Sequence, residues 1–360
     1  MDAMDTLVLN SAQSKYPIGN DPWIRATEKA VTALSGTPGI RLYIGSDPLP
    51  WSFVAFLAGK CGIPALFAVR SSDSAEGRRM YDDALADFGL QERLVAPLFT
   101  GWKASPESKE SWPHRDRILI ARADAVYPVS IRPGGRLDAL IDSMAGSRVR
   151  DEYRISYTRS RYRIEINVPE RRMASLPRGE WLLHWTRTCR GLWPGETQRE
   201  FWSDVLAEPD RYVRTAADSL ARILQERTIR GSGRHLPKGR TAVGFTSLSP
   251  SEALKLMRWR RRYAEFSYEP FGIAVRKKAA VQAGCLPVVY GGSAGTDPLF
   301  VHAPGPENVW SGECEWRLEG DCGLDMFHDE DVLAIVPDTI SAGRIGVSVP
   351  GRIRTHILFP

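Results

Sequence analysis

Short apolar segments alternate with helical ones through the first third of this chain, and that alternation limits the fold more than any other feature of the sequence. Helices are predicted over residues 22–34 and 51–58. The predicted strands cover residues 6–9, 41–44, 65–69, 118–121 and 126–129. Strands joined by helices favour a parallel sheet with its ligand at the carboxyl ends of the strands. We therefore expect an α/β, Rossmann-like parallel-sheet domain at the amino terminus.

The chain is long enough for two domains. Its 360 residues exceed one typical core. We expect a first domain over residues 1–145, a basic linker or connecting strand over 146–178, and an α+β domain over 179–360. Hydrophobic residues make up 43% and charged residues 25%, which excludes disorder as the main state.

Charge, cysteine spacing and hydropathy narrow the classes of function. The 48 basic and 43 acidic residues leave a net charge of +5, which is too small at this length to predict nucleic-acid binding from bulk charge. The five cysteines contain no CxxC pair, which argues against a zinc site or a disulfide framework. The sequence has no signal-like start and no apolar run of about 18 residues. We expect a cytoplasmic protein without a metal or a membrane partner, and the oligomeric state stays open.

Two glycine-containing turns follow predicted strands of the first domain. One contains Gly45 and Ser46, and the other contains Arg132, Gly134 and Gly135. Glycine lets a backbone approach a phosphate and turn its amides toward it, and arginine adds positive charge. These residues are therefore candidates for binding a nucleotide, with an ordinary surface turn as the alternative.

The segment around the second turn resembles part of a known superfamily. Residues 123–140 are similar to the end of the nucleotide-binding SLOG superfamily, which includes the LOG phosphoribohydrolases and the DprA fold. In LOG enzymes Pro-Gly-Gly is followed by Gly-Thr and a catalytic Glu, but the corresponding residues here are Leu137, Asp138 and Ile141. The resemblance therefore implies binding of a nucleotide without its hydrolysis.

Two basic segments also contain aromatic residues. Eight arginines and three tyrosines lie between residues 148 and 172. This composition suits either a nucleic-acid backbone with stacked bases or a solvated linker strand. The second segment, residues 258–263, is predicted on a helix that begins at Pro250. Its arginines would contact NAD phosphates, a nucleic-acid acceptor or only solvent.

Polar residues recur at three predicted strands of the second domain. His184 lies in an alternating segment, and Thr246 and Ser247 end an apolar run. Glu313 and Glu315 begin a third strand, where residues two apart share one face. We therefore expect both carboxylates to enter one cleft.

The order of these segments resembles that of ADP-ribosyltransferase-like proteins. The similarity covers residues 181–318 and includes an amphipathic helix predicted over residues 210–225. DarT-type DNA modifiers share the opening, and AbiGi-type abortive-infection proteins are similar as far as Glu-x-Glu-x-Arg. The resemblance implies an NAD-dependent ADP-ribosyltransferase or NAD glycohydrolase coupled to a nucleotide-binding sensor domain, in a setting of prokaryotic antiviral defence.

The resemblance also implies roles for single residues. Glu315 would stabilise positive charge on the ribose, and Glu313 would position or deprotonate the acceptor. His184 would bind the adenosine-side ribose or the phosphates, and Tyr268 or Tyr263 would stack on the nicotinamide. The other NAD-binding residues that it implies are Thr186, Thr246 and Ser247.

Each of these residues has a structural alternative. His184 suits a hydrogen-bonded core position, Ser249 suits a helix cap before Pro250, and Glu315 and Arg317 suit an ion pair. Two other functions also stay open. One is a nucleotide-processing or nucleic-acid-modifying enzyme with its chemistry in the first domain, and the other is a noncatalytic nucleic-acid-binding protein.

Overall fold

The chain forms two compact units. A computed structural model describes residues 3–101, 111–160, 173–233, 236–260, 265–291, 295–302, 311–346 and 353–360. Unit 1 comprises Met1–Tyr162 and Gly195–Val213, and unit 2 comprises Arg163–Pro194 and Arg214–Pro360. Within the described ranges, no helix combines the length and apolar character needed to cross a bilayer.

Unit 1 is built on a parallel sheet. Its described strands are β1 (Met4–Asn10), β2 (Ile40–Ile44), β3 (Ala65–Val69), β4 (Val95–Phe99) and β5 (Ala125–Ser130). They lie in the order β4, β3, β2, β1, β5, and each pairing is parallel. The helices are α1 (Pro22–Ser35), α2 (Leu49–Cys61), α3 (Ala75–Phe88), α4 (Ser111–Arg122), α5 (Arg136–Met144) and α6 (Gln198–Ala207). The predicted Rossmann-like α/β architecture is confirmed.

Burial explains how the helices of unit 1 pack. Residues 50–58 of α2 are all buried, because this helix is apolar around its whole circumference. Helix α1 instead buries one stripe, and Pro22 at its start supplies a backbone angle suited to the first turn. Ser74 caps α3 by accepting a hydrogen bond of 3.1 Å from the amide of Gly77.

One strand prediction in unit 1 is wrong. Residues 118–121 lie inside α4, where Leu119 and Ile120 are fully buried. A short apolar run has the same pattern in a buried helix as in a buried strand, so periodicity does not separate them. The strand before α4 is β4, which contains Pro97 and lies at the edge of the sheet, where proline is tolerated.

Helix α6 packs into the core of unit 1. In the sequence this helix lies after residue 179, where the second domain was predicted to begin. Trp202 is fully buried, and its ring centroid lies 4.7 Å from that of Phe53. Its Nε1 donates a hydrogen bond of 3.1 Å to Ser52 Oγ. Buried aromatic packing therefore joins this distant segment to unit 1.

Unit 2 contains a mixed sheet with helices. Its described strands are β6 (Trp181–Trp185), β7 (Thr228–Ile229), β8 (Ala242–Thr246), β9 (Trp259–Arg260), β10 (Glu265–Phe266), β11 (Gly272–Arg276), β12 (Leu286–Pro287), β13 (Val289–Tyr290), β14 (Val301–His302), β15 (Glu315–Glu319), β16 (Cys322–Gly323), β17 (Val332–Val336) and β18 (Arg354–Ile357). The main sheet has the order β12, β15, β8, β6, β11, β17, β18, with only β17 and β18 parallel. The helices are α7 (Ala216–Glu226), α8 (Pro250–Lys255), α9 (Lys277–Gln282) and α10 (Thr339–Gly346).

Two helix predictions in unit 2 need correction. The helix predicted from residue 210 begins only at Ala216, because Thr215 and Asp218 form a capping box there. Helix α8 has the predicted cap at Ser249, but it ends at Lys255. Arg258 is therefore not helical, and its backbone amide instead donates to Ser267 Oγ.

The remaining basic residues of the predictions are only partly described. Residues 161–172 and 261–264 lie outside the described ranges, and with them the candidate Tyr263. Trp259 and Arg260 form β9, which pairs with β10 in a short antiparallel hairpin. Trp259 is 45% exposed.

Candidate functional site

Five of the predicted NAD-site residues line one pocket of about 240 Å³ in unit 2: His184, Thr246, Tyr268, Glu313 and Glu315. They come from β6, the end of β8, the segment before β11, and the start of β15 with the turn before it. The sheet order makes β15, β8, β6 and β11 successive neighbours, which explains how residues far apart in sequence meet.

His184 lies where β6 and β8 separate. The two strands pair through Leu183 and Thr246, and beyond that pair His184 Nδ1 lies 2.8 Å from the carbonyl oxygen of Gly244. Because a carbonyl only accepts, Nδ1 must carry the proton. Burial lowers the pKa of His184, and the charge of Arg187 lowers it further, against the opposing effect of the Gly244 hydrogen bond. The ring is therefore neutral at neutral pH, with Nε2 left as a hydrogen-bond acceptor.

Glu315 is held by a two-point ion pair. Arg317 Nε lies 2.8 Å from Glu315 Oε1, and Arg317 Nη2 lies 3.1 Å from Oε2. Arg317 is buried, and its Nη1 donates to the carbonyl of Leu299 at 2.6 Å. The ion pair that the alternation on this strand suggests is confirmed. It fixes the carboxylate of Glu315 while leaving it on the wall of the pocket.

Glu313 lines the same pocket, but it does not lie on the strand where it was predicted. Strand β15 starts at Glu315, whereas Glu313 ends a 3₁₀ turn. Between them Cys314 has a φ of 47°, which is uncommon outside glycine. Thr246 Oγ1 donates to the carbonyl of Glu313 at 2.6 Å, so the end of β8 holds this turn in place.

Two aromatic rings form another wall of the pocket. Tyr268 stacks on Trp185 with ring centroids 6.0 Å apart and an interplanar angle of 18°. The Tyr268 hydroxyl donates to the carbonyl of Ala253. Burial raises the pKa of Tyr268, and the nearby charge of Glu313 raises it further. The phenol is thus a fixed, neutral surface rather than an acid or base.

Two predicted residues act elsewhere in unit 2. Thr186 is buried, and its Oγ1 donates to the carbonyl of Ala216 at 2.8 Å, which ties β6 to the start of α7. The amide of Ser247 donates to the carbonyl of Cys314 at 3.2 Å. Ser247 does not line the pocket, so it supports the carboxylate loop from outside.

A second cavity of about 600 Å³ adjoins the first, and the two share His184, Trp185 and Ser267. Thr186 lines this second cavity. Sequence reasoning missed its other polar and aromatic lining residues, which include Arg187, Trp193, Ser219, Arg222 and Arg230.

The indole of Trp193 organises one side of this second cavity. Its Nε1 donates to Ser219 Oγ at 3.0 Å. The guanidinium of Arg214 lies 4.0 Å from the ring centroid, and that of Arg222 lies 4.9 Å from it. The helical spacing of Ser219 and Arg222 on α7 was the available signal, but it has meaning only once Trp193 is known to lie beside the helix.

The first glycine turn of unit 1 surrounds buried arginines. A Cβ added to Gly45 would lie 3.3 Å from Arg115 Nη1, so a larger residue would press on that guanidinium. Ser46 Oγ lies 3.3 Å from the carboxylate of Asp47, which also pairs with Arg70 at 2.5 Å. Arg115 is fully buried over the Trp51 ring, and burial lowers its pKa.

In the second glycine turn the amides already donate within the chain. Arg132 N donates to Ser11 Oγ at 2.9 Å, Gly134 N to Asp138 Oδ2 at 2.9 Å, and Gly135 N to Arg132 O at 3.0 Å. Glycine is needed twice, since Gly134 has a φ of 65° and a Cβ on Gly135 would lie 2.9 Å from the Arg132 carbonyl. The residues meet as predicted, but the expected phosphate donors are engaged.

The comparisons with known proteins leave the family open. No family model and no curated protein matches the chain. Among solved structures, DNA processing protein A from Streptococcus pneumoniae matches at 16% identity over 40% of this chain and 47% of that one, with a TM-score of 0.28. The same protein from Helicobacter pylori, in a structure described for its single-stranded DNA binding mode, matches at 14% identity over 40% of this chain and 62% of that one, again with a TM-score of 0.28. The match spans less than two thirds of either protein, and at these scores neither supports a functional assignment.

Proposed function

We propose that unit 2 is an NAD-cleaving enzyme of the ADP-ribosyltransferase type. The observation that carries this proposal is the convergence of His184, Tyr268, Glu313 and Glu315 on one pocket from three separated segments. Two carboxylates beside stacked aromatic rings suit a flat, positively charged group such as nicotinamide.

Each residue has a separate task in the proposed reaction. The bond between the nicotinamide nitrogen and ribose C1′ breaks, and its electron pair leaves with the nicotinamide. Glu315, held by Arg317, stabilises the positive charge that develops on the sugar. A nucleophile then bonds to C1′, and Glu313 accepts its proton. With water as the nucleophile the outcome is NAD hydrolysis, and with another acceptor it is ADP-ribosyl transfer.

The two adjoining cavities suit a dinucleotide better than either one alone. The pocket of about 240 Å³ is below the usual size of a ligand site, whereas the neighbouring cavity adds about 600 Å³. His184 lines both, so its Nε2 can accept a hydrogen bond from a ribose hydroxyl. Arg187, which lies 3.6 Å from Glu265, supplies positive charge for a pyrophosphate, and Trp193 offers an aromatic ring near a base. Arg230 lines the same cavity but is paired with Glu226 and Asp321.

The test is nicotinamide release from NAD by the full chain. Glu315→Gln keeps the size of the side chain but removes its charge, and we expect turnover to fall roughly 100-fold to 1000-fold with NAD affinity nearly unchanged. Glu319→Gln is the matched control, because it makes the same change on β15 at an exposed residue outside the pocket. Full turnover in Glu315→Gln would end the enzyme proposal. A large drop in melting temperature with no specific loss of turnover would make Glu315 a structural ion-pair residue.

A further inference from the structure

The strand order of unit 1 defines a crevice between β1 and β5. Strands β1 to β4 extend the sheet in one direction, and β5 lies on the other side of β1. Ligands of open α/β sheets bind at the carboxyl ends of the strands where the order reverses. At that point Ser11 N donates to Ser130 O at 2.9 Å, and Gln13 Nε2 lies 3.2 Å from Ser130 Oγ.

Residues 149–160, which we call the strap, cross this crevice. The strap first runs beside β5, where Ile155 N donates to Val129 O at 2.8 Å. It then reaches the loop after β1, where the Tyr157 hydroxyl donates to Ala12 O at 2.8 Å. Finally Ser160 Oγ donates at 2.6 Å to Asp21 Oδ1, beside the start of α1. The strap thereby passes from β5, past the loop after β1, to the start of α1.

Two buried oxygens beside the crevice lack a partner among the described residues. They are Asn10 Oδ1 and Gln13 Oε1, and each residue is 5% exposed. The orientation of the Asn10 amide is fixed, because Thr27 Oγ1 donates to Trp23 O at 2.6 Å and so accepts from Asn10 Nδ2 at 3.0 Å. Buried acceptors without donors favour a ligand that brings N–H or O–H groups.

The same region is poorly suited to a phosphate. The start of α1 would ordinarily attract an anion, but the carboxylate of Asp21 is already there and accepts from Ile18 N at 3.0 Å. The amides of Gly134 and Gly135 are also engaged within the chain. The crevice therefore favours the uncharged part of a nucleotide over its phosphate.

We propose that the crevice between β1 and β5 binds a nucleoside through Asn10 and Gln13, and that the strap closes the site until the ligand displaces it. Ribose hydroxyls and exocyclic amino groups are the donors that the two free oxygens require. This site lies within unit 1 and does not depend on NAD cleavage by unit 2.

The test uses the full chain with adenosine and with AMP, measured by calorimetry and hydrogen exchange. The double variant Tyr157→Phe, Ser160→Ala removes both hydrogen bonds that hold the end of the strap. We expect it to bind adenosine roughly 5-fold to 30-fold more tightly than the wild type does, with AMP no tighter than adenosine. Tyr153→Phe is the control, since it changes a tyrosine of the same strap and keeps the ring that packs on Tyr127.

Two further measurements keep the proposal open to refutation. In the wild type, adenosine should speed exchange of the Ile155 amide, because that amide is bonded only while the strap is closed. Gln13→Leu should abolish adenosine binding without loosening the strap. Protection of Ile155 by adenosine, equal affinity in the wild type and the double variant, or no binding by either would overturn the proposal, whether or not the protein releases nicotinamide.

Discussion

Local sequence patterns predicted different features in the two units: the strands in unit 1, and the residues that line a pocket in unit 2. In unit 1 the strands β1, β2, β3 and β5 were predicted, yet the amides of its second glycine turn are engaged within the chain. In unit 2 two helices were misjudged, yet five predicted residues line one pocket. Element boundaries depend on local competition for hydrogen bonds, whereas a site depends on which strands become neighbours. Accuracy in one therefore says little about accuracy in the other.

The largest expected effect concerns α6, the helix of unit 1 that lies beyond the predicted start of the second domain. Trp202→Ala removes a fully buried indole and its bond to Ser52, and we expect a loss of about 3 to 5 kcal/mol in the free energy of unfolding. Urea unfolding measures the loss, and hydrogen exchange should show faster exchange along β1 and β2. Trp259→Ala is the control, because that tryptophan is 45% exposed. Equal losses in the two variants would contradict the assignment of α6 to the core of unit 1.

Particular residues show why the rest of the fold and site could not be predicted. The order of His184, Thr246 and Glu315 was visible, because each lies at a strand with clear alternation. The left-handed backbone conformation of Cys314 was not predicted, since nothing in the neighbouring sequence distinguishes this residue from a strand residue. Trp193 and Arg222 meet only after α7 packs beside the end of β6. The hydrogen bond from Gly134 N to Asp138 was not predicted either, although it decides whether the turn can bind an anion.

A second test separates the two carboxylates of unit 2. If Glu313 accepts the proton of the incoming nucleophile, Glu313→Gln should slow ADP-ribosyl transfer about 100-fold while slowing nicotinamide release less than about tenfold. Labelled NAD with a pool of candidate acceptors measures transfer, and free nicotinamide measures cleavage. Glu319→Gln again serves as the control on β15. Equal slowing of both products would give Glu313 the same task as Glu315.

The pH dependence of unit 2 offers a smaller effect. Because burial lowers the pKa of His184 in the folded state, the unfolded chain binds the proton more readily, near its usual pKa of about 6.5. The contribution of His184 to stability is therefore complete above pH 6.5 and is lost as the pH falls toward the folded pKa. The loss should reach at most about 1.4 kcal/mol per pH unit in that window.

Comparison of the wild type with His184→Asn isolates this effect. Urea unfolding between pH 5 and pH 8 should show a difference between the two proteins that shrinks as the pH falls. NAD affinity of the wild type should fall only once the pH drops to the lowered pKa of folded His184, because the imidazolium form no longer accepts a hydrogen bond at Nε2. A pH-independent difference would mean that folding leaves the pKa of His184 unchanged, and the buried, neutral state of the ring would then be wrong.

The smallest expected effect returns to the second glycine turn of unit 1. Asp138→Ala frees the Gly134 amide, at a cost of about 1 kcal/mol in the free energy of unfolding. The wild type should bind AMP and adenosine equally, and the variant should prefer AMP by roughly threefold to tenfold, because a backbone donor and a lost carboxylate both favour phosphate. The ratio of the two affinities cancels any effect of Asp138 on the strap through Arg154, which lies 3.8 Å away. Asp142→Ala, a change at an exposed acid of α5, is the control. A wild type that already prefers AMP would show that the turn binds phosphate with Asp138 in place, and the contrast between the two units would then disappear.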